Sequence, residues 1–331
     1  MAVYTTIDNP ELYFQVKIWT GTGSSNALTL DGSENMQPDY VMIKQRSGTQ
    51  QWNGYDSVRG VQKYLGWNTG ILENTQTQGL TAFGSDGFTV GTDDMVNKSS
   101  STYVAYCWKE SATAGFDIVT YTGTGSAKTE NHSLSAKPHW IIVKNRSDND
   151  NYWQVQHKSL GATKNMLLND TNAVATVSTF WNDTEPTTSV FSVGTHDDTN
   201  ENTDSLIAYL WSEKQGFSKF GSYTGNGETA GTFVYLGFRP AFLLLKESSA
   251  SGEDWVVQDN KRDTFNPVDF TSYASATNAE NSGYRYCDFN ANGFKIRNSQ
   301  DDYNTSGSTY IYMAFAEAPF VNSKGVPANA R

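Results

Sequence analysis

A five-residue stretch ending in Gly-x-Gly occurs three times in this chain at a nearly constant interval. The copies are residues 19–23 (Trp-Thr-Gly-Thr-Gly), 121–125 (Tyr-Thr-Gly-Thr-Gly) and 223–227 (Tyr-Thr-Gly-Asn-Gly), so the opening aromatic residue recurs every 102 positions. After each copy a proline opens an apolar run that ends in a lysine, at Lys44, Lys144 and Lys246. Self-similarity at a fixed period is typical of repeat architectures. The 331 residues therefore predict three units of about 100 residues each.

The repeat also predicts the domain boundaries. They are a leader over residues 1–13, a first, second and third unit over 14–115, 116–216 and 217–319, and a tail over 320–331. No low-complexity linker separates the units, and joints as short as residues 114–116 exclude free tumbling. We expect the units to pack as one rigid body. The leader has no apolar segment of the secretory type, so no signal peptide is expected.

Residue patterns within a unit indicate strands joined by turns. Residues 140–144 (Trp-Ile-Ile-Val-Lys) form a continuous apolar run, which is typical of a strand buried on both faces. In residues 153–157 apolar and polar side chains alternate, which places Trp153 and Val155 on a core face. No segment shows a sustained apolar stripe of helical period. We therefore predict an all-β fold of three tandem β-sandwich units of lectin-like or jelly-roll-like type.

Two other arrangements of the three repeats remain open at this point. Strands from different repeats could complete one another's sheets in a larger assembly. Alternatively, the three repeats could supply pseudo-threefold symmetry within a single chain. The tryptophans that recur on the fourth strand are predicted to pack in the core rather than to form sugar-binding platforms; they are Trp52, Trp153 and Trp255.

Charge and cysteine content exclude several classes of protein. The chain carries 24 Lys and Arg against 35 Asp and Glu, a net charge of −11, without a basic cluster. Nucleic acids and anionic membrane surfaces both require a basic face, so neither is an expected partner. No stretch approaches the ~18 apolar residues of a membrane span. Cys107 and Cys287 lie far apart at non-equivalent positions, and we expect two buried thiols rather than a disulfide.

One candidate binding site follows from aromatic residues that lack counterparts in the other repeats. Trp181 lies in the polar stretch 180–186 (Phe-Trp-Asn-Asp-Thr-Glu-Pro), and Trp67 is a second such residue. An exposed indole beside Asn182 and Asp183 would suit a saccharide, whose apolar face stacks while its hydroxyls bond to amides and carboxylates. The alternative is that single exposed aromatic residues are common and carry no function.

A second candidate site is acidic and recurs in each unit. Adjacent carboxylates followed by an asparagine are hard oxygen donors of the kind that bind calcium. The alternative is that Asp and Asn cap turns through their own backbone. Apart from this possible Ca²⁺ no cofactor is expected. The three pairs are Asp93 and Asp94, Asp197 and Asp198, and Asp301 and Asp302.

Catalytic motifs are missing from the sequence. It contains no Gly-x-Ser-x-Gly elbow, no HExxH and no phosphate-binding loop, and no helix is predicted after the Gly-x-Gly turns. His157 stands where the other units have Asp56 and Asp259, which suggests an interchangeable polar site. A glycosidase needs two converging carboxylates, and no pair is singled out. We therefore expect a protein that is not an enzyme.

These motifs together resemble repeat domains in virion structural proteins of tailed phages, especially tail-fibre-like proteins of marine cyanobacterial phages. The third unit shows the fullest match, in residues 220–227, 237–240, 254–255 and 292–295. The resemblance implies a non-enzymatic virion protein that is associated with tails or fibres and meets other virion proteins and a host glycan or receptor. It also implies, by analogy, a possible homotrimer. A capsid decoration protein, a free carbohydrate-binding module and a polysaccharide depolymerase are the alternatives.

Overall fold

The computed structural model describes residues 4–328. A 3₁₀ helix (Pro10–Leu12) precedes the first unit. The first unit contains β1 (Phe14–Thr20), β2 (Asn26–Thr29), β3 (Tyr40–Gln45), β4 (Asn53–Asp56), β5 (Lys63–Tyr64), β6 (Asn74–Thr75), β7 (Leu80–Gly84), β8 (Gly87–Val90), helix α1 (Asp94–Asn97) and β9 (Thr102–Trp108). Its main sheet has the order β1-β9-β3-β4, and a smaller sheet has the order β2-β8-β7.

The second unit repeats this arrangement with a longer main sheet. It contains β10 (Phe116–Thr122), β11 (Lys128–Asn131), β12 (Trp140–Asn145), β13 (Gln154–His157), β14 (Lys164–Leu167), β15 (Ala175–Thr176), α2 (Ser178–Trp181), β16 (Val190–Val193), α3 (Asp197–Asn200) and β17 (Ser205–Trp211). The main sheet has the order β10-β17-β12-β13-β14-β15, and β11 pairs with β16.

The third unit follows the same order again. It contains β18 (Ser218–Thr224), β19 (Phe233–Tyr235), β20 (Phe238–Glu247), β21 (Val256–Asp259), β22 (Ser272–Tyr273), β23 (Cys287–Asn290), β24 (Gly293–Ile296), α4 (Asp301–Asn304) and β25 (Thr309–Pro319). Its sheets have the orders β18-β25-β20-β21-β22 and β19-β24-β23. All named strand pairs are antiparallel, for example β3 with β9. The predicted all-β sandwich class is confirmed.

The central strands of each main sheet are buried on both faces. On β3, Val41 and Ile43 pack in the first unit's own core with Leu28 and Phe88 of the small sheet. Tyr40 and Met42 face the other way, into a second core. Because successive side chains of a strand point to opposite faces, a strand between two cores must be apolar at nearly every position. This explains the continuous apolar runs in the sequence.

The second core is shared by all three units. It contains residues from each main sheet, and most of its volume is aromatic. Trp108 of the first unit lies 6.2 Å from Trp211 of the second and 5.9 Å from Phe315 of the third, measured between ring centroids. Aromatic pairs at these separations stabilise beyond the apolar area that they bury. The three sandwiches therefore share one interior.

The recurring tryptophans of the fourth strand connect the units in a cycle. Each indole is fully buried, which confirms the predicted core packing. Each indole N–H donates to a backbone carbonyl of a different unit, so that the second unit binds the first, the first binds the third and the third binds the second. The three bonds are Trp153 to Gly66 (2.8 Å), Trp52 to Tyr273 (2.7 Å) and Trp255 to Leu167 (2.8 Å). The chain thus has an approximate threefold arrangement of its own.

The Gly-x-Gly turns are held by a buried asparagine from the helix that precedes each closing strand. In the first unit Asn97 Oδ1 accepts from the backbone N–H of Thr22 at 3.0 Å, and its Nδ2 donates to Gly91 O at 2.7 Å. Gly23 has φ +69°, a conformation that favours glycine. Asn200 and Asn304 make the corresponding bonds in the other units. The motif is therefore a structural element of the fold.

Both cysteines are buried and free, as predicted. Burial raises the pKa of the Cys107 thiol and of the Cys287 thiol well above the usual range. A thiol in such surroundings is chemically inert. None of the described helices is long and apolar enough to cross a membrane.

Candidate functional site

The predicted saccharide platform at Trp181 is wrong, because the indole is fully buried. Helix α2 turns both Phe180 and Trp181 into the core of the second unit. Asn182 ends the helix in a left-handed conformation (φ 52°), and it and Asp183 remain exposed. A single helical turn inside a polar stretch directs two adjacent aromatic residues inward, which the sequence pattern does not show.

Trp67 is also unable to serve as an exposed platform. Its side chain is 1% exposed, and its Nε1 donates to the hydroxyl of Tyr40 at 2.6 Å. The ring stacks on Trp52 with centroids 5.9 Å apart. A polar contact of this kind satisfies the indole N–H inside the core. Trp67 is therefore a core residue of the shared interior.

The acidic pairs lie at the starts of three one-turn helices. Asp93 caps α1, with Oδ1 accepting from Met95 N at 2.8 Å. Asp94 follows in the first turn of that helix, as do Asp197 and Asp198 in α3 and Asp301 and Asp302 in α4. Carboxylates in this position stabilise the helix, because the N-terminal end of the helix dipole is positive. Among residues 4–328 no group of three or more His, Cys, Asp or Glu is placed to hold a metal ion, so calcium binding stays a prediction.

The lysines that end the central strands are structural as well. All three are buried, and burial lowers the pKa of each to about 8. Lys144 Nζ donates to Asn151 O at 2.9 Å within its own unit and to Gly70 O of the first unit at 3.0 Å. Carbonyl oxygens from two units thus take the place of water around the Lys144 ammonium.

A cleft of about 680 Å³ opens beside Tyr152 in the second unit. This volume lies in the range of small-molecule sites, roughly 300–1,000 Å³. Its walls come from β13 and the segment before it, from β14 and β15, from helices α2 and α3, and from Ser251 of the third unit. We call it the Tyr152 cleft; its lining residues include Asp150, Tyr152, Gln154, Asn165, Val174, Ala175, Phe180, His196 and Asp198.

A chain of buried polar side chains forms one wall of the Tyr152 cleft. Asn165 Nδ2 donates to Gln154 Oε1 at 2.9 Å, and Gln154 Nε2 donates to Asp198 Oδ2 at 2.5 Å. His196 Nδ1 lies 3.9 Å from the same carboxylate oxygen. Burial raises the pKa of Asp198, while His196 and the Gln154 hydrogen bond oppose that rise. The two hydrogen bonds therefore fix the orientation of Asn165, Gln154 and Asp198 relative to one another.

The Tyr152 cleft also has apolar lining residues. Tyr152 is 42% exposed. Phe180 packs its ring on the His196 imidazole with centroids 4.0 Å apart. Val174 and Ala175 complete the apolar lining. An aromatic surface beside amide and carboxylate groups is the chemistry that the sequence pattern predicted at Trp181, at another place in the same unit.

The equivalent positions of the other units are occupied by their own side chains. In the first unit Met95 replaces Asp198, and its Sδ accepts from Gln76 Nε2 at 3.3 Å. In the third unit Asp302 is paired with Arg285, whose guanidinium lies 5.0 Å from the Tyr273 ring centroid. Of the three units, the second alone has an aromatic residue at this position, Tyr152, and the cleft opens beside it.

Sequence reasoning missed Tyr152 and Asn165, although one signal was present. Tyr152 directly precedes the recurring Trp153, at a position where the other units have Gln51 and Asp254. An aromatic residue that appears in one copy only, next to a scaffold residue, is a difference between repeats of the kind that marks a site. Asn165 carries no comparable signal, because its burial depends on the pairing of β13 with β14.

Comparison with known proteins gives a family and no function. The model of a family described as "Domain of unknown function (DUF7483)" matches residues 9–319. No curated protein matches the chain.

Proposed function

The chain belongs to the DUF7483 family, and we propose that it is a non-enzymatic structural protein of a tailed-phage particle that is associated with the tail or its fibres and contacts the host surface. The observation that carries the proposal is a scaffold repeated three times, with a cleft in the second unit at which the repeats differ in sequence. Such a division between rigid scaffold and variable site is typical of binding proteins. The resemblance of the repeat motifs to virion proteins supplies the particle context.

The same proposal includes the statement that the protein is not an enzyme. The Tyr152 cleft contains two carboxylates, Asp150 and Asp198. Asp198 is engaged by Gln154 and faces His196, whereas Asp150 is exposed. A glycosidase would place two carboxylates on either side of one scissile bond. The polar chain in the cleft instead orients groups for binding.

Locating the protein on purified phage particles tests the proposal. Mass spectrometry of density-purified particles is expected to find the chain in fixed stoichiometry, and cryo-electron microscopy is expected to place it on the tail. Location on the capsid shell would favour a decoration protein, and absence from particles would favour a free carbohydrate-binding module. Other virion proteins are the proposed partners, and light scattering would decide whether the chain also forms a trimer.

Depolymerase activity is the alternative that a solution assay can decide. Host envelope polysaccharide incubated with the purified chain is expected to keep its viscosity. A fall in viscosity that disappears in an Asp198→Asn variant would contradict the non-enzymatic assignment.

A further inference from the structure

We propose that a cleft at the joint between the second and third units binds an acidic saccharide, with Lys158 and Lys219 donating hydrogen bonds to a sugar carboxylate and Tyr235 packing on the sugar ring. We call it the joint cleft; its volume is about 480 Å³, and its lining includes His139, Lys158, Glu213, Lys219 and Tyr235. The choice of a saccharide rests on the proposed function, in which the protein contacts the host surface. The charge of the ligand follows from the cleft itself.

Both lysines of the joint cleft keep donors for a ligand. Lys158 is exposed, and its Nζ donates to Glu213. Lys219 is partly exposed; its Nζ donates to the backbone oxygen of Tyr235 at 2.9 Å and lies 5.3 Å from the centroid of that ring. An ammonium group has three N–H donors, so these contacts leave two on each lysine. A ligand in the cleft therefore finds charged donors in both units.

The joint cleft is positive although the chain carries a net charge of −11. The described lining residues include two lysines and one carboxylate, Glu213. Burial lowers the pKa of His139, and the charges of Lys158, Lys137 and Lys214 add to this, whereas Glu213 raises that pKa. At physiological ionic strength, exposed charges more than about 8 Å away are largely screened, so the near groups decide which ligand is attracted. The cleft therefore favours an anion.

The equivalent place at the joint between the first and second units has the opposite charge. Backbone hydrogen bonds and strand register identify four positions that correspond to His139, Lys158, Glu213 and Lys219; they are Asp39, Ser57, Glu110 and Asp117. Three of these four are acids, and Glu110 contacts Asp117. A carboxylate at two of the positions is thus replaced by an imidazole and an ammonium group in the joint cleft.

The joint between the third and first units satisfies its polar groups internally. The corresponding residues are Ala241, Asn260, Glu317 and Gln15. Asn260 Nδ2 donates to Glu317 Oε2 at 2.7 Å, and Gln15 Oε1 accepts from Gly32 N at 2.9 Å. None of the four positions holds a lysine. The two lysines are therefore particular to the joint between the second and third units, and they come from distant parts of the chain.

An aromatic strand edge borders the joint cleft. Phe233 and Tyr235 of β19 are 45% and 49% exposed, and they share a face because alternate side chains of a strand point the same way. Strand register gives the equivalent residues as Ala27 and Thr29 in β2 and Thr129 and Asn131 in β11. An exposed aromatic ring beside charged donors suits a sugar ring that carries a carboxylate.

Titration calorimetry of the full chain tests the inference. The probes are gluco-, galacto- and manno-configured uronic-acid oligosaccharides, neutral oligosaccharides of matched length and a poly-glutamate peptide. At least one uronic-acid probe is expected to bind more tightly than every other probe, and its affinity is expected to fall as salt is added. Lys158→Gln and Lys219→Gln are each expected to weaken that binding roughly 3- to 10-fold, the effect of losing one charged contact. Tyr235→Ala is expected to weaken it by a similar factor.

Lys128→Gln is the matched control. Lys128 Nζ donates to the backbone oxygen of Thr122 and lies 4.9 Å from the centroid of the Tyr121 ring, so its contacts resemble those of Lys219. The variant removes the same charge at a place outside the described lining of the joint cleft. It is expected to leave the affinity unchanged.

Absence of uronic-acid binding at about 10 mM would overturn the inference. Equal or tighter binding of a neutral oligosaccharide or of the peptide would do so as well, and so would an unchanged affinity in both lysine variants. An equal loss in Lys128→Gln would also overturn it, because the cause would then be the overall charge of the chain. These results leave the virion assignment intact, since that depends on particle composition. Conversely, acidic-saccharide binding by a chain missing from particles would remove the virion assignment only.

Discussion

Tyr209 of the second unit donates its hydroxyl to Oδ2 of Asp56 in the first unit at 2.7 Å, and both side chains are fully buried. Asp56 also pairs with Arg59, with 2.5 Å between Oδ2 and Nε. The carboxylate therefore has a donor from each side of the boundary. The boundary between the first and third units carries the same three residue types, Tyr106, Asp259 and Arg262.

The boundary between the second and third units differs at all three positions. His157 replaces the aspartate, Leu160 the arginine and Met313 the tyrosine. A buried charge whose partner is removed is strongly destabilising, so a change at one position is tolerable only if the others change too. At these three positions two boundaries are therefore ionic and one is neutral.

Replacing Tyr209 by phenylalanine should destabilise the protein by about 1.5–3 kcal/mol, because a buried hydrogen bond to a charged group is lost. Denaturant unfolding of the full chain measures the change. Met313→Leu at the equivalent position of the neutral boundary is the control, and a volume-conserving change of this kind should cost less than about 1.5 kcal/mol. Equal losses in the two variants would contradict a specific contribution of the Tyr209 hydroxyl.

His157 should make the protein sensitive to acid. Burial lowers its pKa to about 3, against the usual 6.5. The folded state therefore binds the proton less well than the unfolded state, and stability present above pH 6.5 is lost as the pH falls toward 3. His157→Asn should reduce the slope of unfolding free energy against pH in this window. His132→Asn, at a partly exposed ring, should change the slope less; the reverse order would refute the assignment.

Glu110 should make the folding stability of the protein depend on pH in the alkaline range. Burial, then the neighbouring carboxylate of Asp117, raise its pKa to about 8, and Asp39 adds to this. The folded state holds this proton more tightly, so the stability that it contributes is complete below pH 4.5 and is lost as the pH rises through 8. Glu110→Gln should therefore melt higher than the parent at pH 9, on the order of 1–2 °C, and equally at pH 4.

Glu213 is the matched control for that experiment. It occupies the position of Glu110 in the second unit, where it pairs with Lys158 instead of with a carboxylate. Glu213→Gln removes a partly exposed ion pair and should lower stability slightly at pH 9, by about 0–1 kcal/mol. If both variants were more stable than the parent, the cause would be the lower net negative charge of the protein and not the loss of the Glu110–Asp117 contact.

Asn200 should be essential for the turn that recurs through the chain. Its buried side chain accepts from Thr124 N at 2.9 Å and donates to Ser126 O at 2.7 Å and to Gly194 O at 2.6 Å. Asn200→Ala leaves these groups without their partner, and we expect a loss of about 2–4 kcal/mol. Thermal unfolding and limited proteolysis at residues 123–126 measure it. Asn202→Ala, at an exposed position, should change neither.

The candidate site was only partly predictable from the chain. The kind of chemistry, an aromatic surface beside amides and carboxylates, was expected in the second unit, and Asp198 was among the residues named. The predicted position of the site, at Trp181, was wrong. The direction in which the Trp181 side chain points depends on one helical turn that packs against the unit's core. Asn165 and Gln154 meet only through the pairing of β13 and β14, which a pattern of residue types does not specify.

The sequence by itself determined the class of fold. The 102-residue interval shows three similar units, and the apolar runs ending in lysine indicate strands buried on both faces. The alternation around Trp153 follows from local geometry, since a strand alternates its side chains whatever lies beside it. Only the tertiary structure decided what the second face of each central strand meets. Strand period shows that Tyr40 and Met42 share a face, but that face finds its partners in two other units, far away along the chain. The shared aromatic core, the ionic boundary at Asp56 and the open cleft at Tyr152 all arise from those distant contacts.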